Sequence, residues 1–389
     1  MYCLRRLAGI CLLSVFALWL SACASISVGR ISYAAQASDP LATYPLTGDT
    51  LPVLDPSIIR QGDAYYAFST DVAGFAASGN IPIHCSPDKI NWTRCGSVFP
   101  KGMPPWISRR LSGVAGLWAP DISYFNGEYH LYYNASTLYT QRTVIGLVTS
   151  PTLDPTDPGY KWIDHGVVLQ SKDGDDYNAL DPNIFIGSDG QIWLTYGSYW
   201  SGIKQRQIDP ATGMLLASNP TRYNLATRPG VPDDAVEGAS MVQHGGYYYL
   251  FVSMDHCCTA STSTDNYKQA VGRSTSPHGP FVDQLGTPLM KGGGTILLKG
   301  NSSWNAPGGG TAYLDPDSGD SLLIFHAQNL HEGGTPHVWL KKLAWQNDWP
   351  VVTDISSASS ALVRHPRSAL GEFRGTSPVS AGPPIGGRQ

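Results

Sequence analysis

Short apolar runs, cut by Gly- and Asp-bearing turns, are written along this chain in a recurring unit. The plainest copy runs from Asn178 to Ser198. It places a carboxylate, Asp181, at the start of the apolar run Ile184-Phe-Ile186. A turn, Ser188-Asp-Gly190, follows, and then a second, aromatic-bearing run from Ile192 to Tyr196. Runs of this length between turn residues read as paired strands. The same unit recurs at 54–69, 119–133 and 237–253, and a weaker fifth copy runs from Gly310 through Leu314 to His326.

The acids that open the first four copies are Asp55, Asp121, Asp181 and Glu237, in steps of 66, 60 and 56 residues. Strand repeats of about 40–50 residues are the mark of propeller blades, and longer steps leave room for loop insertions. Each unit can hold four strands. The expected fold is therefore all-β: a five-bladed β-propeller filling 51 to about 352. In such a fold the innermost strand of each blade lines a central channel. Carboxylates far apart in sequence would then meet on one axis.

The ends read differently. Residues 1–24 carry Arg5 and Arg6 ahead of an apolar run, 7–20, too short to span a bilayer, as in a signal peptide. Leu20-Ser-Ala-Cys23 has the form of a lipoprotein cleavage site with Cys23 as the lipidated residue, and the same text also fits ordinary signal-peptidase cleavage. Both readings export the protein, as an outer-membrane lipoprotein or as a secreted one. Residues 25–50 read as a tether, 51–365 as the propeller domain, and 366–389, rich in Gly, Pro and Ser, as a disordered tail.

Charged residues are only 14% of the chain, against the usual ~25%. The net charge is −4 and there is no basic run, so nucleic acid is not an expected partner. Aromatics reach 11%. Most serve an all-β core, but a neutral, ring-rich surface also suits uncharged sugars. Four cysteines remain beyond the leader: Cys85, Cys95, Cys257 and Cys258. They allow three pairings. Cys85 and Cys95 flank a turn and suit a cross-strand disulfide; Cys257 and Cys258 are then a vicinal disulfide or two free thiols. No spacing reads as a zinc site.

Asp121 alone has two readings, a turn residue or a site residue, because Asp beside Pro is common in turns. Asp55, Asp181 and Glu237 argue more sharply. A turn would reuse Asp, whereas the change to Glu at an equivalent position suggests reach toward a substrate. Three converging carboxylates suit glycosidic hydrolysis: one protonates the leaving oxygen and one activates water or attacks directly. A third negative charge keeps the acid protonated.

These segments resemble glycoside hydrolase family 43, and within it most closely the secreted endo-1,5-α-L-arabinanases. The text that carries the resemblance is Asp55-Pro-Ser-Ile-Ile, Gly116-Leu-Trp-Ala-Pro-Asp121-Ile, Asn178-Ala-Leu-Asp181-Pro-Asn, Tyr196-Gly-Ser-Tyr-Trp-Ser-Gly-Ile-Lys204, 247–253 with Cys257-Cys258, and Val271-Gly-Arg-Ser274. The resemblance implies an inverting endo-hydrolase of arabinan or arabino-oligosaccharides, with Asp55 as general base, Asp181 as pKa modulator and Glu237 as general acid. Trp118 is implied as a stacking platform, with Asp121, Asn178, Ser198 and Tyr199 as further substrate contacts. A calcium ion near the axis is implied too; His326 is either its ligand or a hydrogen-bonded channel histidine. No organic cofactor is expected, and the protein is expected to be a monomer.

The chain departs from the family in Leu54, where His is usual, in Gly238-Ala239 after the acid, and in His326-Ala-Gln-Asn329. Three rival readings stand beside the first. One is an exo-acting α-L-arabinofuranosidase or β-xylosidase on the same scaffold. Another is a carbohydrate-binding propeller without catalysis. The third is a retaining enzyme, whose carboxylates lie about 5–5.5 Å apart rather than the roughly 6.5–9.5 Å of an inverting pair.

Overall fold

A computed structural model describes residues 32–33, 38–72, 80–114, 116–137, 139–257, 266–316 and 318–355. The expected leader with Cys23 and the expected tail lie outside the described residues. Two short strands come first: β1 (Ser32–Tyr33) and β2 (Thr47–Gly48). Blade one is β3 (Ser57–Gln61), β4 (Ala64–Phe68), β5 (Asn80–Ser86) and β6 (Asn91–Phe99). A single turn of helix, α1 (Pro105–Arg110), leads to blade two: β7 (Trp118–Phe125), β8 (Glu128–Ser136), β9 (Thr143–Ser150) and β10 (Ile163–Ser171). Blade three is β11 (Asn183–Ile186), β12 (Ile192–Tyr196), β13 (Ile203–Ile208) and β14 (Tyr223–Ala226). Blade four is β15 (Val236–His244), β16 (Tyr247–Met254), β17 (Lys268–Ser274) and β18 (Thr295–Leu298). Blade five is β19 (Trp304–Leu314), β20 (Ser321–Asn329), β21 (Thr335–Gln346) and β22 (Trp349–Thr353).

Each blade is an antiparallel meander in chain order. The five first strands pack on one another in order, and β19 returns to β3 to close the ring. This is the expected five-bladed β-propeller. The fifth unit opens earlier than the sequence pattern suggested, at Trp304, because two breaks in pairing between Asn305 and Thr311 hide its alternation.

The apolar faces of the blades are wedged between neighbours, so the fold has five cores rather than one. Phe68, Leu131, Tyr133 and Val148 fill the wedge between blades one and two. Tyr132, Leu147, Leu194 and Tyr196 fill the next. Leu250, Val252, Met254 and Phe281 lie between blades three and four. Tyr249, Phe251, Phe325 and Trp339 lie between four and five. The last wedge, between five and one, takes Trp92, Ile324 and Leu340, and also Leu46 and Val53 from ahead of the first blade.

The expectation of a tether over 25–50 is thus corrected in part. Leu41 and Leu46 are buried. Tyr44 stacks on Trp304 at 5.2 Å and meets Trp339 edge-on at 4.9 Å. Its hydroxyl donates to the Val338 carbonyl at 3.0 Å. The Val53 and Val338 amides donate to Pro336 O and Thr50 O, each at 3.0 Å. Strand β2 runs parallel to β6, and Gly48 there lets the strands meet, since a Cβ would fall 2.1 Å from the Trp92 carbonyl oxygen. Polar composition hid this role, because the segment has few apolar residues and they are spaced apart.

Tyr44→Ala should lower unfolding free energy by about 3 kcal/mol, as for other large-to-small changes at packed aromatic sites. Urea denaturation checks it; a change under about 1 kcal/mol would restore the tether reading.

Candidate active site

Five backbone positions at one end of the channel share an uncommon conformation. Asp55, Ala119, Asp181, Gly238 and Gly309 have φ of 47°, 40°, 54°, 56° and 57°. One comes from each blade, and all five line one axial cavity of about 30 Å³ together with Pro120, Pro182, Ala239, Gly310 and Thr311. That volume holds about one water-sized guest. Left-handed backbone is costly for residues with a side chain, and Asp tolerates it better than most. Strain of this kind persists where the surroundings over-determine it, commonly at active sites. Breaks in strand pairing at Trp118/Asp121, Glu237/Ser240 and Gly308/Thr311 sit beside the same cavity; such bulges re-aim side chains.

Asp55 presents its carboxylate here, 28% exposed. Thr70 Oγ1 donates to Asp55 Oδ2 at 2.7 Å and itself accepts from the Ala119 amide at 2.8 Å. The Thr70 hydroxyl thus accepts a hydrogen bond from the Ala119 amide and points its own proton toward Asp55. Burial pushes the Asp55 carboxyl up to about 6, and the Thr70 bond opposes the rise. Asp181 is anchored on both sides: its amide donates to Asn134 Oδ1 at 3.1 Å, and its Oδ2 accepts from the Gly238 amide at 3.0 Å. Burial first, then the charges of Glu237 and Asp55, hold the Asp181 carboxyl well above the usual carboxylate range.

Glu237 accepts from two hydroxyls: Ser198 Oγ to Oε2 at 2.7 Å and Tyr267 OH to Oε1 at 2.9 Å. Burial raises the Glu237 carboxyl, the two hydroxyls pull it back, the Asp55 charge raises it and His256 lowers it. Asp181 and Glu237 form one coupled pair that keeps a proton to higher pH than either would alone.

The other expected residues are sorted by the structure. Ser198 is buried against Glu237. Tyr199 stacks on His256 at 5.8 Å, and burial with the nearby Glu237 and Asp181 charges raises its phenol. Trp118 is half-buried, one residue before the left-handed Ala119. Asn178 is buried and accepts from Ser171 Oγ at 3.3 Å, away from the cavity lining.

Asp121 does not join the carboxylates. Its Oδ1 accepts from Asn183 Nδ2 at 2.9 Å and its Oδ2 from the Ile184 amide at 2.7 Å, so it staples blade two to blade three. The X-Pro dipeptides explain the misplacement: Asp55-Pro56, Ala119-Pro120 and Asp181-Pro182 align, which puts Asp121 two residues too deep. Thr70, Asn134, His256 and Tyr267 were not singled out from the sequence. Each lies in a different turn or strand with no repeat signal, and only the Asp/Pro register could have pointed toward any of them.

His326 is fully buried in β20. Its Nδ1 accepts from the Asp55 amide at 3.1 Å, which leaves the ring proton on Nε2, 3.4 Å from Cys257 Sγ. Cys257 is disulfide-bonded; Cys258, its expected partner, lies outside the described residues. Cys85 and Cys95 are joined as expected. Calcium takes six to eight oxygen ligands. A ring flanked by an amide and a sulfur does not offer them, and no group of three or more His, Cys, Asp or Glu among the described residues converges on one point. An ion there would take most of its ligands from water, with His326 as its expected protein ligand; the chemistry below is written on the side chains of this chain.

Residues 50–350 match the family described as glycosyl hydrolases family 43. The extracellular endo-α-(1→5)-L-arabinanase 1 of Bacillus subtilis is 36% identical, over 76% of this chain and 86% of that protein. Among solved structures, the family 43 endo-arabinanase from Bacillus licheniformis superposes with a TM-score of 0.70 at 36% identity, covering 79% of this chain and all of that one. An exo-1,5-α-L-arabinanase from a bovine ruminal metagenomic library gives 0.71 at 33% identity, covering 80% and 99%.

Asp121→Ala should cost about 3 kcal/mol of stability, because it leaves two buried donors unpaired, while its distance from the cavity spares the site. Chemical denaturation measures the first effect and sugar binding by calorimetry the second. Lost binding with unchanged stability would return Asp121 to the site.

Proposed function

The chain belongs to glycosyl hydrolase family 43, and from that premise we propose that it cuts α-1,5-linked L-arabinan internally, inverting the anomeric centre. One observation carries the reading. Asp55 and Asp181 line a single axial cavity, and Glu237 is tied to the same point through Gly238. Asp55, which accepts the Thr70 hydroxyl, is ionised above about pH 6. It takes a proton from a water whose oxygen bonds to the anomeric carbon. The bond from that carbon to the leaving chain breaks, and the leaving oxygen takes the proton of Glu237. One water is consumed; Asp55 ends protonated and Glu237 ionised, and solvent exchange restores both. Asp181 and Glu237, both raised by burial and by the Asp55 charge, hold a shared proton to higher pH than either would alone, and that proton is the one Glu237 delivers.

Near the acids, Tyr199 and His256 supply stacked rings, and Trp200, Tyr139 and Trp118 add ring faces for neutral sugars. A long substrate would spread its binding energy over several subsites, so short substrates lose kcat as well as affinity.

On debranched arabinan the enzyme should give a ladder of oligosaccharides, and proton NMR of the first products should show the inverted anomer. Asp55→Ala and Glu237→Ala should each lower kcat by about 10²–10⁴-fold, and kcat/KM should fall below about pH 6 as Asp55 is protonated. Arabinose alone from the outset would favour exo action. A retained anomer would make Asp55 a nucleophile.

The proposal extends to location. The extracellular relative and the Leu20-Ser-Ala-Cys23 text support export, and we read Cys23 as a lipid anchor on a monomeric enzyme. A single acyl chain binds membranes only marginally, so the multiple chains of a bacterial lipoprotein would be needed. Cys23→Ser should release the enzyme from the membrane fraction; unchanged partitioning would reject the anchor.

A further inference from the structure

We infer that Tyr267 is a positioning residue that fixes the proton-donating carboxyl of Glu237 and ties it to the base side of the site. The inference rests on the roles proposed above for Glu237 and Asp55. Tyr267 is 2% exposed. Its hydroxyl donates to Glu237 Oε1 at 2.9 Å. Its ring lies nearly parallel to the His326 imidazole, at 6.0 Å and 16°. His326 in turn accepts the Asp55 amide at 3.1 Å. One side chain therefore touches the acid at one end and the residue behind the base along its face.

Blade five is carved to receive this ring. A Cβ at Gly308 would lie 2.3 Å from Tyr267 Cδ1 and Cε1, inside contact distance. A Cβ at Gly309 would lie 2.4 Å from Asp55 Oδ1 and 2.8 Å from His326 Cε1. The Gly308-Gly309 pair thus clears one slot for the tyrosine, the histidine and the base together. A slot this tight leaves the phenol one orientation, which sets the plane of the Glu237 carboxyl.

The chemistry of a hydroxyl fits the task. Glu237 is a carboxylate after each turnover and a carboxylic acid before the next. An amide N–H can only donate, whereas a hydroxyl donates to the carboxylate and can also accept a hydrogen bond from the acid. Both partners of Glu237, Tyr267 and Ser198, are hydroxyls. The base instead meets a single hydroxyl, that of Thr70, which also accepts from the Ala119 amide. The titratable groups acting on Glu237 besides Tyr267 are Asp55, Asp181 and His256, with the Tyr199 phenol alongside.

Tyr267→Phe tests the inference, since it keeps the ring in its slot and removes only the hydroxyl. On debranched arabinan kcat should fall about tenfold or more, as for loss of a hydrogen bond to a charged group, with KM within about twofold. The basic limb of kcat/KM should move to higher pH, because the carboxylate loses a donor, and the acid limb set by Asp55 should stay. A second readout does not depend on turnover. The chain has four glutamates, Glu128, Glu237, Glu332 and Glu372, so carboxyl-labelled glutamate gives a resolvable NMR titration. The Glu237 signal should titrate at higher pH in Tyr267→Phe and in Ser198→Ala. An unmoved Glu237 titration, or kcat and both limbs within about twofold and a tenth of a unit of wild type, overturns the inference. Absence of arabinan hydrolysis by the wild-type enzyme would instead overturn the proposed function and leave the titration to judge Tyr267.

Discussion

Closure of the ring is the constraint on which the site depends. Three carboxylates from blades one, three and four meet only because the five inner strands are forced round one axis. The four main strands of each blade are consecutive in the chain, so among the described residues no strand is shared across the seam between blades five and one. The seam is held by side chains and backbone from ahead of the first blade. Leu46 and Val53 fill the wedge, and the Val53 and Val338 amides stitch its edges. On the outer side Tyr65 donates to Asp315 Oδ2 at 2.7 Å, and Lys89 and Lys342 both reach Asp320, at 2.7 and 3.0 Å. Surface ion pairs of this kind are worth at most about 1 kcal/mol each, so the packed wedge carries most of the closure. Asp121 performs a similar service inside the ring, between blades two and three.

Convergence has a thermodynamic consequence. Asp55 and Asp121 are raised by burial to about 6 and about 7, against ~3.9 for an unfolded Asp. Over the window from about pH 4 to 7 the folded chain binds more protons than the unfolded one, so these groups stabilise the fold in acid and that contribution is lost as pH rises. The fold tolerates this because it buries aromatic and aliphatic residues in five separate wedges. Buried carboxylates lower the stability of the chain at the pH where their shifted protons are useful.

The blade count, the strand order and the meeting of Asp55, Asp181 and Glu237 were legible in the sequence, for a physical reason. A strand repeat must restart at the same depth in each blade, so residues that serve the axis recur in register. What the repeat does not encode was lost. Asp121 was misplaced because acids were aligned instead of the Pro that follows the left-handed residue. Tyr44 and Leu46 read as tether because a segment that fills one wedge has no periodicity to show. Tyr267, Thr70 and Asn134 act on the acids from separate turns and strands, and nothing in their local text differs from that of core or turn residues. His326 was found as a channel residue, but its partners, the Asp55 amide and Cys257, come from loops 271 and 69 residues away in sequence.

The polar partners of the acids divide along the same line as the tasks proposed for them. A base must be ionised when substrate arrives, and Asp55 faces a hydroxyl whose own oxygen is already occupied by an amide proton. Its proton points at the carboxylate, and a donated hydrogen bond favours the charged form. A proton donor must pass between forms without losing its orientation, and Glu237 faces two hydroxyls able to reverse their sense. Asp181 never has to donate. Its Oδ2 accepts from the Gly238 amide and its own amide donates to Asn134, while burial and the charges of Glu237 and Asp55 hold its carboxyl well above the usual range. Three carboxylates of similar chemistry thus acquire three behaviours from donor type and burial alone, as expected where environment pushes coupled acids apart.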